Sequence, residues 1–280
     1  MKSYNNKRMK KIYKKNNKKS YDFILKFAII VTVVIVYLAS ILSQLNYNIT
    51  NKANSGFNYK FYEAQDCLNY IFDKNYGDND TLNLINNYQT ICKEPDTELF
   101  LRALIEQLKV DYGIEQVNTS FYYKPCVTNN NNLYGSTSCY GDIYIYQNPE
   151  RNQKDYFNTA FHELKHVKQY ADAYRTDPDK LAEAIVKRNN NGYASVYDIQ
   201  HTRNELDEIY GALKPFPKNS KEYKKGLEYI ENQALYNSAP KNYNYDLYEK
   251  YRNQIVEKEA FLNGAYSETI YNYAVKSNIK

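Results

Sequence analysis

The chain has 280 residues, which is room for one large domain or two small ones. It contains 33 tyrosines and no tryptophan, and its formal charge is +5. The positive charge is confined to residues 1–19, which hold nine basic residues and no acid, whereas the remainder holds 28 basic and 32 acidic residues. With a formal charge of −4, the folded part is not expected to bind nucleic acid.

A long apolar stretch follows the basic tail of residues 1–22. Residues 23–43 are almost entirely apolar, and about 20 such residues cross about 30 Å of hydrocarbon as a helix. The stretch predicts an uncleaved signal anchor that contacts membrane lipid together with the tail. The positive-inside rule places the tail in the cytoplasm and the C-terminal part outside, as in a single-pass membrane protein. A cleaved signal peptide is the alternative, although residues 45–48 lack a small-residue cleavage pattern.

Beyond the anchor, residues 44–56 predict a polar stalk and residues 57–280 predict one extracytoplasmic domain. Apolar residues at helical spacing predict three helices at the start of that domain. They cover residues 57–75, 82–91 and 99–110. A strand over 117–127 and an alternating strand over 140–147 follow, separated by a loop rich in Asn, Gly and Ser. Four further helices are predicted after residue 175, over 178–187, 203–213, 221–235 and 248–273.

The first half of this domain contains four cysteines. They are Cys67, Cys92, Cys126 and Cys139. An extracytoplasmic location permits disulfides, and four cysteines allow three pairings. We expect the nearest-neighbour pairs Cys67–Cys92 and Cys126–Cys139. Free thiols and a four-cysteine metal site are the alternatives, although no C-x₂-C pair is present.

Two of the three histidines form the most informative motif, His162-Glu163-Leu164-Lys165-His166. Apolar residues at helical spacing over 157–171 predict a helix, and they lie on the side away from both histidines. On a helix, positions i and i+4 share one face, so the two imidazoles can hold one zinc ion. Glu163 can then reach a water molecule at the metal.

This motif, together with the strand before it, resembles the zincin metallopeptidases. The resemblance is strong over residues 150–175 and diffuse elsewhere. It implies an α+β, mostly helical fold with a small mixed sheet and an active-site helix, here placed behind one N-terminal transmembrane helix. It also implies a peptide or protein substrate that lies extended along an edge strand, for which residues 140–147 are the candidate.

The resemblance extends to the source of a third zinc ligand. In the gluzincin groups a Glu on a later helix supplies it, and the segment Glu257-Lys258-Glu259-Ala260 is similar to theirs. We therefore expect Glu257 as the ligand, with Glu259 and Glu205 as alternatives. Asp172 is the position that the metzincin pattern indicates, but Gln169 replaces the Gly of that pattern.

The expected function is that of a membrane-anchored zinc metallopeptidase. His162, His166 and Glu257 would hold Zn²⁺, and Glu163 would be the general base. A catalytically inactive zincin-fold binding module is the alternative, and a structural zinc site is another. His201 is a candidate for stabilising the oxyanion, although a lone histidine on a helix is more often structural.

Overall fold

The computed structural model describes residues 56–125, 134–238 and 244–276. The chain divides into two units, Met1–Lys60 and Phe61–Lys280, and the second contains the candidate site. The described helices are α1 (Gly56–Phe72), α2 (Asp78–Ile91), α3 (Thr97–Asp111), α4 (Gln153–Thr176), α5 (Pro178–Asn189), α6 (Val196–Tyr210), α7 (Lys221–Ala234), α8 (Tyr245–Arg252) and α9 (Ile255–Lys276). The described strands are β1 (Ser120–Pro125), β2 (Gly135–Thr137) and β3 (Asp142–Gln147).

Helix α4 is the central element, and local chemistry fixes its start. The Asn152 side chain accepts from the Asp155 N–H while the Asp155 carboxylate accepts from the Asn152 N–H, which completes a capping box. Along one side of α4, Phe157 and Phe161 are fully buried. Their rings pack with Tyr88 of α2, so the predicted apolar stripe faces the core.

Two later helices cover the other sides of α4. Helix α7 approaches so closely at Gly226 that a Cβ there would lie 2.8 Å from the backbone oxygen of Asp172. Helix α9 packs along α4 near fully buried Ala260, whose small side chain permits close approach. Because α4 is covered on several sides, even its polar residues Glu163 and Gln169 are buried.

The sheet is small and has the strand order β1-β3-β2. Strand β1 pairs with β3 in parallel, with Ser120 opposite Asp142. Strand β2 pairs with β3 in antiparallel, with Gly135 opposite Ile145. The prediction that residues 140–147 form an edge strand is therefore wrong, because β3 lies in the centre. The edge strand β2 falls in a segment that we expected to be a loop.

The predicted membrane anchor over residues 23–43 lies outside the described residues. Among the helices that the structure describes, none is long and apolar enough to cross a membrane. The longest, α4, has 24 residues, but charged and polar side chains occur throughout it. The part of the chain that the structure describes therefore does not support a fold behind a transmembrane helix or a single-pass topology. We correct the fold class to a mostly helical one with a three-stranded sheet.

The remaining differences from the sequence-based expectations concern thiols and helix ends. Cys67, Cys92 and Cys139 are free thiols, so the expected Cys67–Cys92 bond is not formed, and Cys126 lies outside the described residues. Burial raises the pKa of the Cys92 thiol to about 12, which keeps it protonated and unreactive. The expected helix over 248–273 is two helices, α8 and α9, while α6 begins seven residues earlier than expected.

Candidate metal centre

His162 and His166 lie one turn apart on α4, and their rings face the same point. Their Nε2 atoms are 3.2 Å apart, and both side chains are largely buried. The ring of Phe261 on α9 packs edge-on against the His162 ring, with 4.7 Å between centroids. Burial, and next the neighbouring His166, lower the pKa of His162 well below its usual value. The imidazole of His162 is therefore neutral, the form that binds a metal.

Glu257, in the first turn of α9, completes the cluster. Its Oε2 lies 3.8 Å from His162 Nε2, and its Oε1 lies 3.7 Å from His166 Nε2. The side chain is only 2% exposed. These three residues together offer three metal-binding atoms within 4.8 Å of one another.

Both histidine rings have hydrogen-bond partners besides each other. The Nδ1 atom of His166 lies 2.9 Å from Oε1 of Gln169, whose Nε2 in turn donates to the Val256 carbonyl. The ring of His162 bonds to the backbone of Ala260. Because Gln169 Oε1 can only accept, His166 carries a proton on Nδ1, and its Nε2 faces the Nε2 of His162.

The carboxylate of Glu257 has one satisfied oxygen and one unsatisfied oxygen. Tyr236 donates a hydrogen bond of 2.6 Å to Oε1, whereas Oε2 is buried with no hydrogen-bond partner in the described part of the chain. A buried, unpartnered carboxylate oxygen costs several kcal/mol unless a cation compensates it. Two imidazole Nε2 atoms and this oxygen therefore lie close together, and a cation between them would compensate the oxygen.

The cluster fits a zinc ion. Zinc prefers tetrahedral coordination by imidazole and carboxylate at about 2.0–2.2 Å, which places ligand atoms roughly 3.3 Å from one another. The Nε2–Nε2 separation of 3.2 Å and the separation of 3.8 Å between His162 Nε2 and Glu257 Oε2 are near that value, and the three ligand atoms lie within 4.8 Å of one another. Two imidazoles and one carboxylate are also a donor set of catalytic zinc sites, which leave a fourth position open.

The side chain of Glu163 reaches from α4 toward the edge strand β2. Thr137 Oγ1 donates to its Oε2 at 2.8 Å, and a Cβ at Gly135 would lie 2.6 Å from its Oε1. The missing side chain at Gly135 is therefore what makes room for this carboxyl group. Burial raises the pKa of Glu163 to about 7, against smaller opposing effects of His166 and Thr137.

Glu259, two residues after Glu257, faces a different environment. Lys225 Nζ lies 2.5 Å from its carboxylate, Lys165 Nζ lies 3.6 Å away, and Tyr229 donates to it at 2.6 Å. Burial opposes ionisation of this carboxyl, but the two lysines and the hydrogen bonds outweigh it and lower the pKa. The structure therefore places Glu259 in an ion-pair cluster and apart from the two histidines.

The other sequence-based candidates also lie away from the cluster. Glu205 pairs with His201 at 3.7 Å, and both side chains are exposed on α6. Asp172 forms an ion pair with Lys168 on α4. None of these residues belongs to the metal-binding group found in the described residues.

A cleft of about 740 Å³ opens over the cluster. Strand β2 and the loop after it line one side, and residues of α5, α7 and the α7–α8 connection line the other. Tyr134 accepts from the Tyr146 N–H and Ser138 donates to Asp142 across the β2–β3 pair. Because the pattern alternates in an antiparallel pair, the N–H and C=O groups of Gly135 and Thr137 point away from β3.

Sequence reasoning missed several residues of this cleft. Gly135 and Thr137 lie in a segment without alternating apolar residues, so no strand signal was present. Tyr236 donates to Glu257 and Tyr251 interacts with the same carboxyl group, but nothing in the sequence separates them from the other tyrosines. Comparisons of the chain with protein-family models, curated proteins and solved structures found no match.

Proposed function

We propose that this chain is a zinc-dependent peptidase of the zincin type. One observation supports the proposal most strongly: two imidazole Nε2 atoms and a carboxylate oxygen without a hydrogen-bond partner in the described residues lie together in an open cleft that also holds Glu163. Under this proposal His162, His166 and Glu257 are the metal ligands. A zinc ion bound there supplies Lewis-acid chemistry, which acidifies water and polarises a carbonyl group.

Glu163 is the general base of the proposed reaction. A carboxyl group with a pKa of about 7 is suited to taking a proton from water and giving it to the leaving amine near neutral pH. The bond from Thr137 and the contact with Gly135 hold the carboxyl group in one position. A fixed position matters because a misplaced base loses most of its rate advantage.

The outer edge of β2, with which no described strand pairs, is the proposed binding site for the substrate backbone. The main-chain groups of Gly135 and Thr137 that point away from β3 can pair with an extended peptide. Such pairing would lay the peptide alongside Glu163. The substrate strand is then β2, and the central strand β3 only supports it.

A structural zinc site is the less favoured alternative. Structural sites are closed by four protein ligands. The cluster offers three such residues within the described part of the chain, and it opens into a cleft. A catalytic site fits this arrangement better.

The test is hydrolysis of a diverse peptide mixture by zinc-loaded protein, read by mass spectrometry. Glu163→Gln keeps the size of the side chain but cannot accept the proton, so we expect hydrolysis to fall about 10²–10⁴-fold. Bound zinc should not change, and removal of zinc with a chelator should abolish hydrolysis in the wild type. Cleavage by Glu163→Gln at the wild-type rate would contradict the proposed base. A zinc-loaded wild type that cleaves no peptide would favour an inactive binding module.

A further inference from the structure

Arg188 is a charged group of the cleft that the proposed mechanism does not use. It lies in the last turn of α5, and its side chain lines the cleft. Its Nη1 donates to Gln233 Oε1 at 2.6 Å and to Tyr170 Oη at 3.3 Å, and its Nε donates to Asn189 Oδ1 at 3.3 Å. These three bonds fix the plane of the guanidinium. A fourth hydrogen bond joins it to the Cys139 side chain, which leaves at least one of its five N–H groups over.

The charge of Arg188 has no carboxylate partner in the described residues. The groups that act on it electrostatically are Tyr170, Cys139 and Tyr236, which are neutral at pH 7. Arg188 is also the only lysine or arginine among the cleft-lining residues that the structure describes. An ordered guanidinium in a cleft, with donors to spare and no counter-ion, is suited to binding a carboxylate.

The side chain of Tyr236 lies between Arg188 and the candidate metal centre, so its length indicates how far apart they are. The Arg188 guanidinium lies 5.8 Å from the centroid of the Tyr236 ring, and the hydroxyl of the same ring donates to Glu257. Arg188 is thus about one tyrosine side chain away from a proposed metal ligand. An extended peptide advances about 3.3–3.6 Å per residue, so this span corresponds to about three residues or fewer.

We propose that Arg188 selects substrates that carry a carboxylate within about three residues of the bond that is cleaved. The inference rests on the proposed peptidase function and specifies its substrate class. The carboxylate can belong to an Asp or Glu side chain or to the C-terminus of the peptide. Hydrogen bonds to charged groups of this kind correspond to a preference of about 10- to 100-fold.

The first arm of the experiment uses three pools of randomised hexapeptides built from uncharged residues. One pool is neutral and ends in an amide, one is neutral with a free C-terminal carboxylate, and one carries a single Glu and ends in an amide. Initial cleavage by zinc-loaded wild type is compared between pools at low peptide concentration. We expect one or both carboxylate pools to be cleaved about 10- to 100-fold faster than the neutral pool, and the faster pool identifies the source of the carboxylate.

The second arm measures binding without turnover. Zinc-loaded Glu163→Gln protein is used to capture peptides from the same pools, and bound peptides are quantified by mass spectrometry. We expect the preferred carboxylate pool to be enriched over the neutral pool. Enrichment without cleavage by the wild type would overturn the peptidase function but leave the carboxylate site. Cleavage of all pools at equal rates would overturn the carboxylate site but leave the peptidase.

Variants identify the group that carries the preference. Arg188→Gln should remove it, and Arg188→Glu should reverse it in favour of a fourth pool that carries a single Lys. Lys187→Glu is the matched control, since it makes the same charge change one residue earlier, at a surface residue paired with Glu183. A preference that persists in Arg188→Gln, or that disappears in Lys187→Glu, would overturn the assignment. If the Arg188 variants do not fold, the rates at which the wild type cleaves the pools still show whether it prefers peptides that carry a carboxylate.

Discussion

Near the start of α9, two glutamates, Glu257 and Glu259, lie on different faces of the helix and in opposite environments. Glu257 is directed toward the two imidazoles and keeps one oxygen without a hydrogen-bond partner in the described residues. Glu259 is directed toward Lys165 and Lys225, which compensate its charge. The residue type is identical and the separation is two positions, so the surroundings alone decide which carboxyl group has partners within the protein. Glu257 has few partners in the described part of the protein, whereas two lysines compensate the charge of Glu259.

The largest effect is expected at a third carboxyl group, that of buried Glu163, whose position depends on a neighbour without a side chain. Gly135→Ala would place a Cβ 2.6 Å from Glu163 Oε1, so the carboxyl group must move. We expect hydrolysis to fall about 100-fold, because a displacement of about 1 Å in a catalytic group can cost that much. Steady-state rates and zinc content would be measured together, and zinc content should not change.

Gly77→Ala is the control for that substitution. A Cβ at Gly77 meets nothing within 4 Å, and the residue adopts an extended backbone conformation. Its rate should therefore match the wild type. A Gly135→Ala protein that is as active as wild type would show that the position of Glu163 is not set by this contact.

A smaller effect, on stability, contrasts Glu257 with Glu259 directly. In metal-free protein, Glu259→Gln should lower the free energy of unfolding by about 1–3 kcal/mol, since it leaves partly buried Lys165 without its partner. Glu257→Gln should be neutral or stabilising, because its amide can donate to the imidazole lone pairs. Urea unfolding in the presence of a chelator measures both.

Addition of zinc should sharpen the same contrast. A ligand that binds only the folded state stabilises it, so zinc should stabilise the wild type and Glu259→Gln. Glu257→Gln should gain little. Equal losses of stability for both variants in the chelator would contradict the difference between the two faces of α9.

Local signals made α4 and its two histidines predictable. The spacing of apolar residues and the i, i+4 separation lie within one helix, so neither depends on the rest of the fold. The third ligand could not be decided in the same way. Glu257 and Glu259 differ only in which neighbouring helix their side chains meet, and that is a property of packing.

Strand β2 and the cleft residues show the limit of sequence reasoning more strongly. Gly135 and Thr137 become strand residues because they pair with β3, although their own segment has no strand pattern. Arg188 reaches the cleft from α5, and Tyr236 reaches it from the segment after α7. In sequence both are more than 20 residues from either histidine. Their roles follow only from the way that the helices pack around α4.

The most direct test is the zinc content of the whole purified chain, measured by atomic spectroscopy for the wild type, Glu257→Gln and Glu259→Gln. The account predicts one zinc per chain in the wild type and in Glu259→Gln, and its loss in Glu257→Gln. Loss of zinc only in Glu259→Gln would contradict the assigned ligand. A folded wild type that binds no zinc would contradict the metal centre itself.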